Sequence, residues 1–188
     1  PQLKYSYDKP AKILQMVERI RNPYYRSRAL FRLAQYLPFR FGHLFHKSIT
    51  VARTICDHHL RCRVFEYLLP YIASPDQEVF IGEILQSARN ISDFDDKART
   101  LARLSRRCSE SQKKELLRDS LIATSTISSE QQKAETLQGL RPFLSSYPDL
   151  LTGFHRIAKG ISAPWVRAKG MERRGSLLLQ IPPPRQAA

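Results

Sequence analysis

Between Cys56 and Cys62, in the stretch ICDHHLRCRVF, the chain holds two cysteines and the adjacent histidines His58 and His59. Thiolates and imidazoles are the usual ligands of zinc, and a cysteine beside a histidine is the pair that covalent catalysis uses. A second set, Asp93, Asp95 and Asp96, lies in ISDFDDKARTL and offers three carboxylates for a cation or for acid–base work. No phosphate-cradling glycine loop, G-x-S-x-G or H-E-x-x-H stretch occurs anywhere in the sequence.

What these residues do depends on the elements that carry them, and those elements recur. Taking Ile20, Ile55, Ile91, Ile127 and Ile161 as position zero gives five units of period 34–36. Position +7 holds Ser27, Cys62, Ala98, Ala134 and Ala168, and +10 holds Leu30, Phe65, Leu101, Leu137 and Met171. Position +13 holds Leu33, Leu68, Leu104 and Leu140 but Arg174 in the last unit; +17 holds Leu37, Ile72, Cys108, Leu144 and Leu178. Upstream, −3 and −6 are mostly small and apolar. Offsets of three, four and seven are the period of an amphipathic helix. Each unit therefore reads as two helices, A ending near zero and B running from about +3 to +17. Asn22-Pro23, Asp93, Ser128-Ser129 and Ala163-Pro164 mark the corners. A single hairpin of this kind cannot bury its apolar face, whereas a stack can. The expectation is an all-α, right-handed α-solenoid of about five helix-turn-helix repeats over residues 11–180, after a disordered lead (1–10) and before a flexible Pro-rich tail (181–188).

In that register Cys62 occupies the small buried column, while Cys56, His58 and His59 sit at the variable corner. Ligands so placed do not converge, so no metal is expected there, and no catalytic residue or cofactor is assigned. The three aspartates read as negative charge at the start of a helix B, where the helix dipole favours it.

Lys and Arg number 31 against 17 Asp and Glu, a net charge of +14. It is spread as +9 over residues 1–75, zero over 76–147 and +5 over 148–188, which points to acidic partners at the two ends. No apolar run is long enough to span a bilayer. Three cysteines cannot all pair within the chain and read as reduced thiols, so the expected setting is cytoplasmic. A start at Pro1 rather than Met is what a piece of a longer polypeptide would have.

Two columns collect the charge. Position +6 is basic in every unit (Arg26, Arg61, Lys97, Lys133, Arg167) and lies within about 40° of the buried columns. Its stems are expected to pack while the heads reach the last carbonyls of helix A. Position +8 (Arg28, Arg63, Arg99, Glu135, Lys169) points away from the core, and +12 (Arg32, Tyr67, Arg103, Gly139, Arg173) follows one turn on. With no acidic residue on helix B read as compensating them, Arg28, Arg32, Arg63, Arg99, Arg103, Lys169 and Arg173 form the expected partner-binding stripe.

The unit, A-x-x-I-x-D-x-x-x-R-A-x-x-L-x-x-L-x-x-x-L, is clearest in ARNISDFDDKARTLARLSRRC and VERIRNPYYRSRALFRLAQYL. It resembles the short helical repeats that follow the NTPase module in NACHT-type signal-transduction NTPases, with tetratricopeptide and HEAT-like arrays as architectural relatives. The resemblance covers roughly residues 13–178 and implies a sensor or interaction role; the NTPase module itself is missing, so no ATP chemistry follows. The expected function is a non-enzymatic binding or sensor module for an acidic protein surface or peptide. The alternative is a solenoid that binds nucleic acid through the Arg/Lys stripe, which a salt series would separate.

Overall fold

The computed structural model describes residues 8–37, 40–162 and 164. Among them the chain is all-helical: α1 (Asp8–Glu18), α2 (Pro23–Tyr36), α3 (Phe41–Arg53), α4 (His58–Leu68), α5 (Ser74–Arg89), α6 (Phe94–Ser105), α7 (Glu110–Thr126), α8 (Glu130–Leu144) and α9 (Pro148–Lys159), with a short 3-10 turn at Leu69–Tyr71. The odd-numbered helices are the expected A helices and the even-numbered ones the B helices. The second helix expected for the fifth unit, with Ala168, Lys169, Met171, Arg173, Arg174 and Leu178, falls outside the described residues, as do most of the expected lead and the whole tail; α1 begins at Asp8, inside that lead. No described helix is long and apolar enough to cross a membrane.

The first four corners are each closed by a side chain at position +2. Asn22 accepts from the Tyr24 amide, Asp57 from Leu60, Asp93 from Asp96 and Ser129 from Gln132. Such caps satisfy amides that the helix start leaves open, worth typically about 1 kcal/mol each.

The apolar columns at +10 and +13 are buried, while at +17 only Leu144 is, among the described residues, with Leu37, Ile72 and Cys108 half-buried. Leu30, Phe65, Leu101 and Leu137 at +10 and Leu68, Leu104 and Leu140 at +13 form the core with Ile55, Ile91, Ile127 and Ile161 at zero. The small column packs each B helix onto the next A helix. Ser27 and Ser48 exchange side chain-to-carbonyl bonds of 2.8 and 2.9 Å, and Ser120 donates to the Ala98 carbonyl at 2.7 Å. The most extensive helix pairs are accordingly α2 with α3, α6 with α7 and α4 with α5. A leucine at Ala98 would need space where the helices already touch, and Ala98→Leu is expected to cost about 1–3 kcal/mol. Ser129→Ala, at an exposed corner, should lose only its cap. Urea titration of the two variants checks this, and equal losses would put the column out of register.

Among the described residues, helices touch only partners one or two places away along the chain. Two sets of contacts join successive units. Between B helices, positions +4, +11 and +15 of one unit meet +5, +12 and +16 of the next: His59 faces Asp96 at 3.6 Å, Phe31 packs on Tyr67 with centroids 5.0 Å apart, Gln35 donates to Tyr71 Oη at 3.2 Å, and Arg106 lies 4.3 Å over the Phe143 ring. Between A helices, position −2 meets −8 of the next unit: Glu18 with Lys47, Arg53 with Glu83 at 2.7 Å, and Arg89 with Asp119 at 3.7 Å. Arg89 also reaches Glu115, and Lys114 joins Asp149.

Candidate interaction surface

Two of the +6 residues, Arg61 and Lys97, make the backbone contacts their register implies. Arg61 Nε donates to the Ile55 carbonyl at 2.7 Å, and Lys97 Nζ donates to the Arg89 carbonyl at 2.6 Å. Lys97 thus ends on the last residue of α5 and Arg61 two residues past α3, which in each case brings a cation to the negative end of the preceding A helix. Arg26 is partly buried, with Nε enclosed and unpartnered.

The stripe divides. Arg28, Arg32, Arg63, Arg99 and Arg103 are all exposed. The expectation that no acidic residue on helix B compensates them is corrected by two ion pairs. Asp95, one turn before Arg99, bonds its Nε at 2.6 Å. Glu66 of α4 grips Arg103 of α6 with both oxygens, at 2.7 and 2.9 Å. Position +12 faces the preceding B helix as much as solvent, so Arg103 is a clamp between units; the bond to Glu66 raises its pKa despite burial. Arg28 keeps a hydrogen bond to Tyr24 Oη at 3.0 Å and lies over its ring, while Arg32 and Arg63 make no ion pair. The unneutralised part of the stripe is thus Arg28 and Arg32 on α2 and Arg63 on α4. Glu135 and Gly139 interrupt it on α8.

The sequence reading missed the columns that join B helices. Position +9 (Val64, Thr100, Thr136) is buried, and +16 is aromatic in Tyr36, Tyr71 and Phe143. That aromatic recurrence is the signal that was there to find.

The chemistry-bearing sets have structural partners. Asp93 caps α6, Asp95 holds Arg99 and accepts from Thr136 Oγ1, and Asp96 faces His59. Among the described residues these three aspartates are the one group of three or more His, Cys, Asp or Glu whose ligand atoms come together, lying within 4.8 Å of one another. Cys62 is buried with its Sγ 3.6 Å from the Ile84 carbonyl, while Cys56 is exposed at the corner beside the Thr54 carbonyl. Burial, reinforced by the Glu66 charge, pushes the Cys62 thiol up to about 12. A thiol of that pKa stays protonated near neutral pH and is a poor nucleophile. Iodoacetamide at about pH 8 is therefore expected to alkylate Cys56 in the native protein and to reach Cys62 only after denaturation, as peptide mass mapping will read.

No family model matches the chain, and neither a curated protein nor a solved structure matches it.

Proposed function

We propose that the chain is a right-handed α-solenoid of five helical hairpins that acts as a non-enzymatic interaction or sensor module for an acidic protein surface. Contacts limited to near neighbours, together with the repeated B–B and A–A joints, support the solenoid. The acidic partner is supported by one observation above the others: the chain spends its carboxylates on itself. From residue 11 on, every described acidic side chain apart from Asp76 and Glu78 caps a helix or meets a partner, while Arg28, Arg32 and Arg63 stay exposed and make no ion pair. The surplus positive charge is therefore presented outward, which steers acidic partners. The resemblance to repeats of NACHT-type NTPases supports a sensor role in which such a module would work beside an NTPase.

Nucleic acid is the second reading, favoured by Tyr25 and Tyr36, exposed on the same helix as Arg28 and Arg32. The test compares fluorescein-labelled poly-glutamate with a labelled single-stranded oligonucleotide at low and high salt. For the first reading, poly-glutamate binds and Arg28→Glu/Arg63→Glu weakens it with a shallower salt dependence. Preferential oligonucleotide binding, with affinity falling steeply as salt rises, would instead select the second. Indifference of both probes to the double reversal would remove the stripe from the function.

A further inference from the structure

The A helices are splayed where the B helices are not. Among the described residues α2 meets α4, α4 meets α6 and α6 meets α8 backbone to backbone, whereas α3 and α5, and α5 and α7, bring no Cα atoms within 8 Å of each other. Each gap is a cleft floored by the first two turns of the B helix between them. The cleft between α3 and α5 has a volume of about 300 Å³ and the one between α5 and α7 about 250 Å³. Volumes this small suit one inserted side chain rather than a compact ligand.

The two clefts are lined by the same eight register positions, and four of these form a common frame. Arg53 at −2 reaches Glu83 at −8 over Arg61 at +6 and Phe65 at +10; in the next cleft Arg89 reaches Asp119 over Lys97 and Leu101. The first frame holds two cations to one carboxylate. In the second, Glu115 also joins Arg89 and evens the charge, where the first has Val79 at the same position. The other four positions differ in kind. At +3, −5, −4 and −1 the first cleft has His58, Gln86, Ser87 and Asn90, whereas the second has Phe94, Ile122, Ala123 and Thr126. Phe94 is 42% exposed and Ile122 59%, so the core takes up neither fully. One cleft is thus positive and hydrogen-bonding, its neighbour neutral and largely apolar. Packed helices lie about 8–10 Å apart, a distance that an extended chain covers in about three residues.

We propose that the two clefts bind one extended segment of an acidic partner protein, with a carboxylate side chain in the first and an apolar side chain three residues away in the second. The carboxylate meets Arg61, which beyond its bond to the Ile55 carbonyl makes no ion pair, and the amides of Gln86 and Asn90. The apolar side chain covers Phe94 and Ile122. The inference rests on the reading of the chain as an interaction module for an acidic protein and adds a second surface to it. Positions +3, +6 and +10 lie about 140–160° around the B helix from the +8 stripe.

The probe is a fluorescein-labelled peptide of about 13 residues with Leu-x-x-Glu-x-x-Leu at its centre and Gly and Ser elsewhere. A leucine then lies three residues from the glutamate whichever way the segment runs. Fluorescence anisotropy on the full chain should give saturable binding, weakened about fivefold by Gln86→Glu and by Ile122→Ser. A lysine-for-glutamate probe should bind Gln86→Glu protein in preference to the parent, a probe with serine for both leucines should be indifferent to Ile122→Ser, and Arg63→Glu should change nothing. Gln86 and Ile122 are exposed, which keeps these variants folded, as thermal melting verifies. Absence of binding, sensitivity to only one of the two clefts, or equal affinity when the leucines stand two residues from the glutamate overturns the proposal. Loss on Arg63→Glu with none on Gln86→Glu and Ile122→Ser also overturns it, yet leaves the acidic-partner reading intact with its site on the stripe. Displacement of the probe by a single-stranded oligonucleotide at lower concentration than by unlabelled peptide would overturn it in favour of a nucleic-acid ligand.

Discussion

Phe31→Ala is expected to destabilise the protein by about 3–5 kcal/mol, the range for deleting a fully buried aromatic ring. Phe31 is 0% exposed and sits at +11, where one B helix meets the next. Its ring centroid is 4.8 Å from Tyr71, 5.0 Å from Tyr67, 5.8 Å from Phe45 and 6.5 Å from Phe41. Alanine would forfeit the area of the ring, its edge-on aromatic contacts and the packing of three other segments around it. Rigid neighbours from α3, α4 and the turn after α4 cannot collapse into the space. Tyr36→Ala, on the same helix but with its ring in solvent, should change stability by less than about 0.5 kcal/mol. Urea denaturation measures both. Because each unit leans chiefly on its neighbours, hydrogen exchange in Phe31→Ala should accelerate in α2–α4 and leave α7–α9 protected. Uniform acceleration would mean that the stack folds as one cooperative block.

Arg103→Glu is the second large effect, with an expected loss of about 1–3 kcal/mol. It replaces a two-pronged ion pair with two carboxylates, and Glu66 is only 18% exposed in its side chain. The charge swap Glu66→Arg/Arg103→Glu should recover much of the loss, which a mere packing defect would not allow. Arg99→Glu costs less, a few tenths of a kcal/mol, because its partner lies within the same helix at i,i−4. Thermal melts of the two single reversals and the swap provide the readout. A neutral Arg103→Glu would restore the view of +12 as a free binding position.

The contrast marks what the sequence could carry. Helix placement, most caps and the main buried columns were legible because they depend on residues a few positions apart: Asn22 and Asp93 announce a helix start, and Leu101 and Leu104 announce a face. The role of Cys62 followed in the same way, since a column of Ser and Ala explains a buried thiol better than a ligand set does. Arg103 was misread because its partner is 37 residues upstream, and solvent exposure along one helix says nothing of what a neighbouring helix brings. The aromatic column at +16 was visible, but only the pairing of Gln35 with Tyr71 and of Arg106 with Phe143 gives it a purpose.

The −2 and −8 pairs have a consequence for how such a chain could change over generations. Their polarity is not constant: Glu18 faces Lys47, whereas Arg53 faces Glu83 and Arg89 faces Asp119. Tandem genes readily lose or duplicate one period by unequal crossing-over, and identical junctions would accept the result silently. Here an in-frame loss of the second period would set Glu18 against Glu83, and a duplication of the first would set Glu18 against Lys12. The deletion creates a repulsive seam and the duplication a compatible one. The single change of sign after the first junction works as a spelling rule at that point of the order: it resists loss of the second period, whereas loss of the third would set Arg53 against Asp119, another attractive pair.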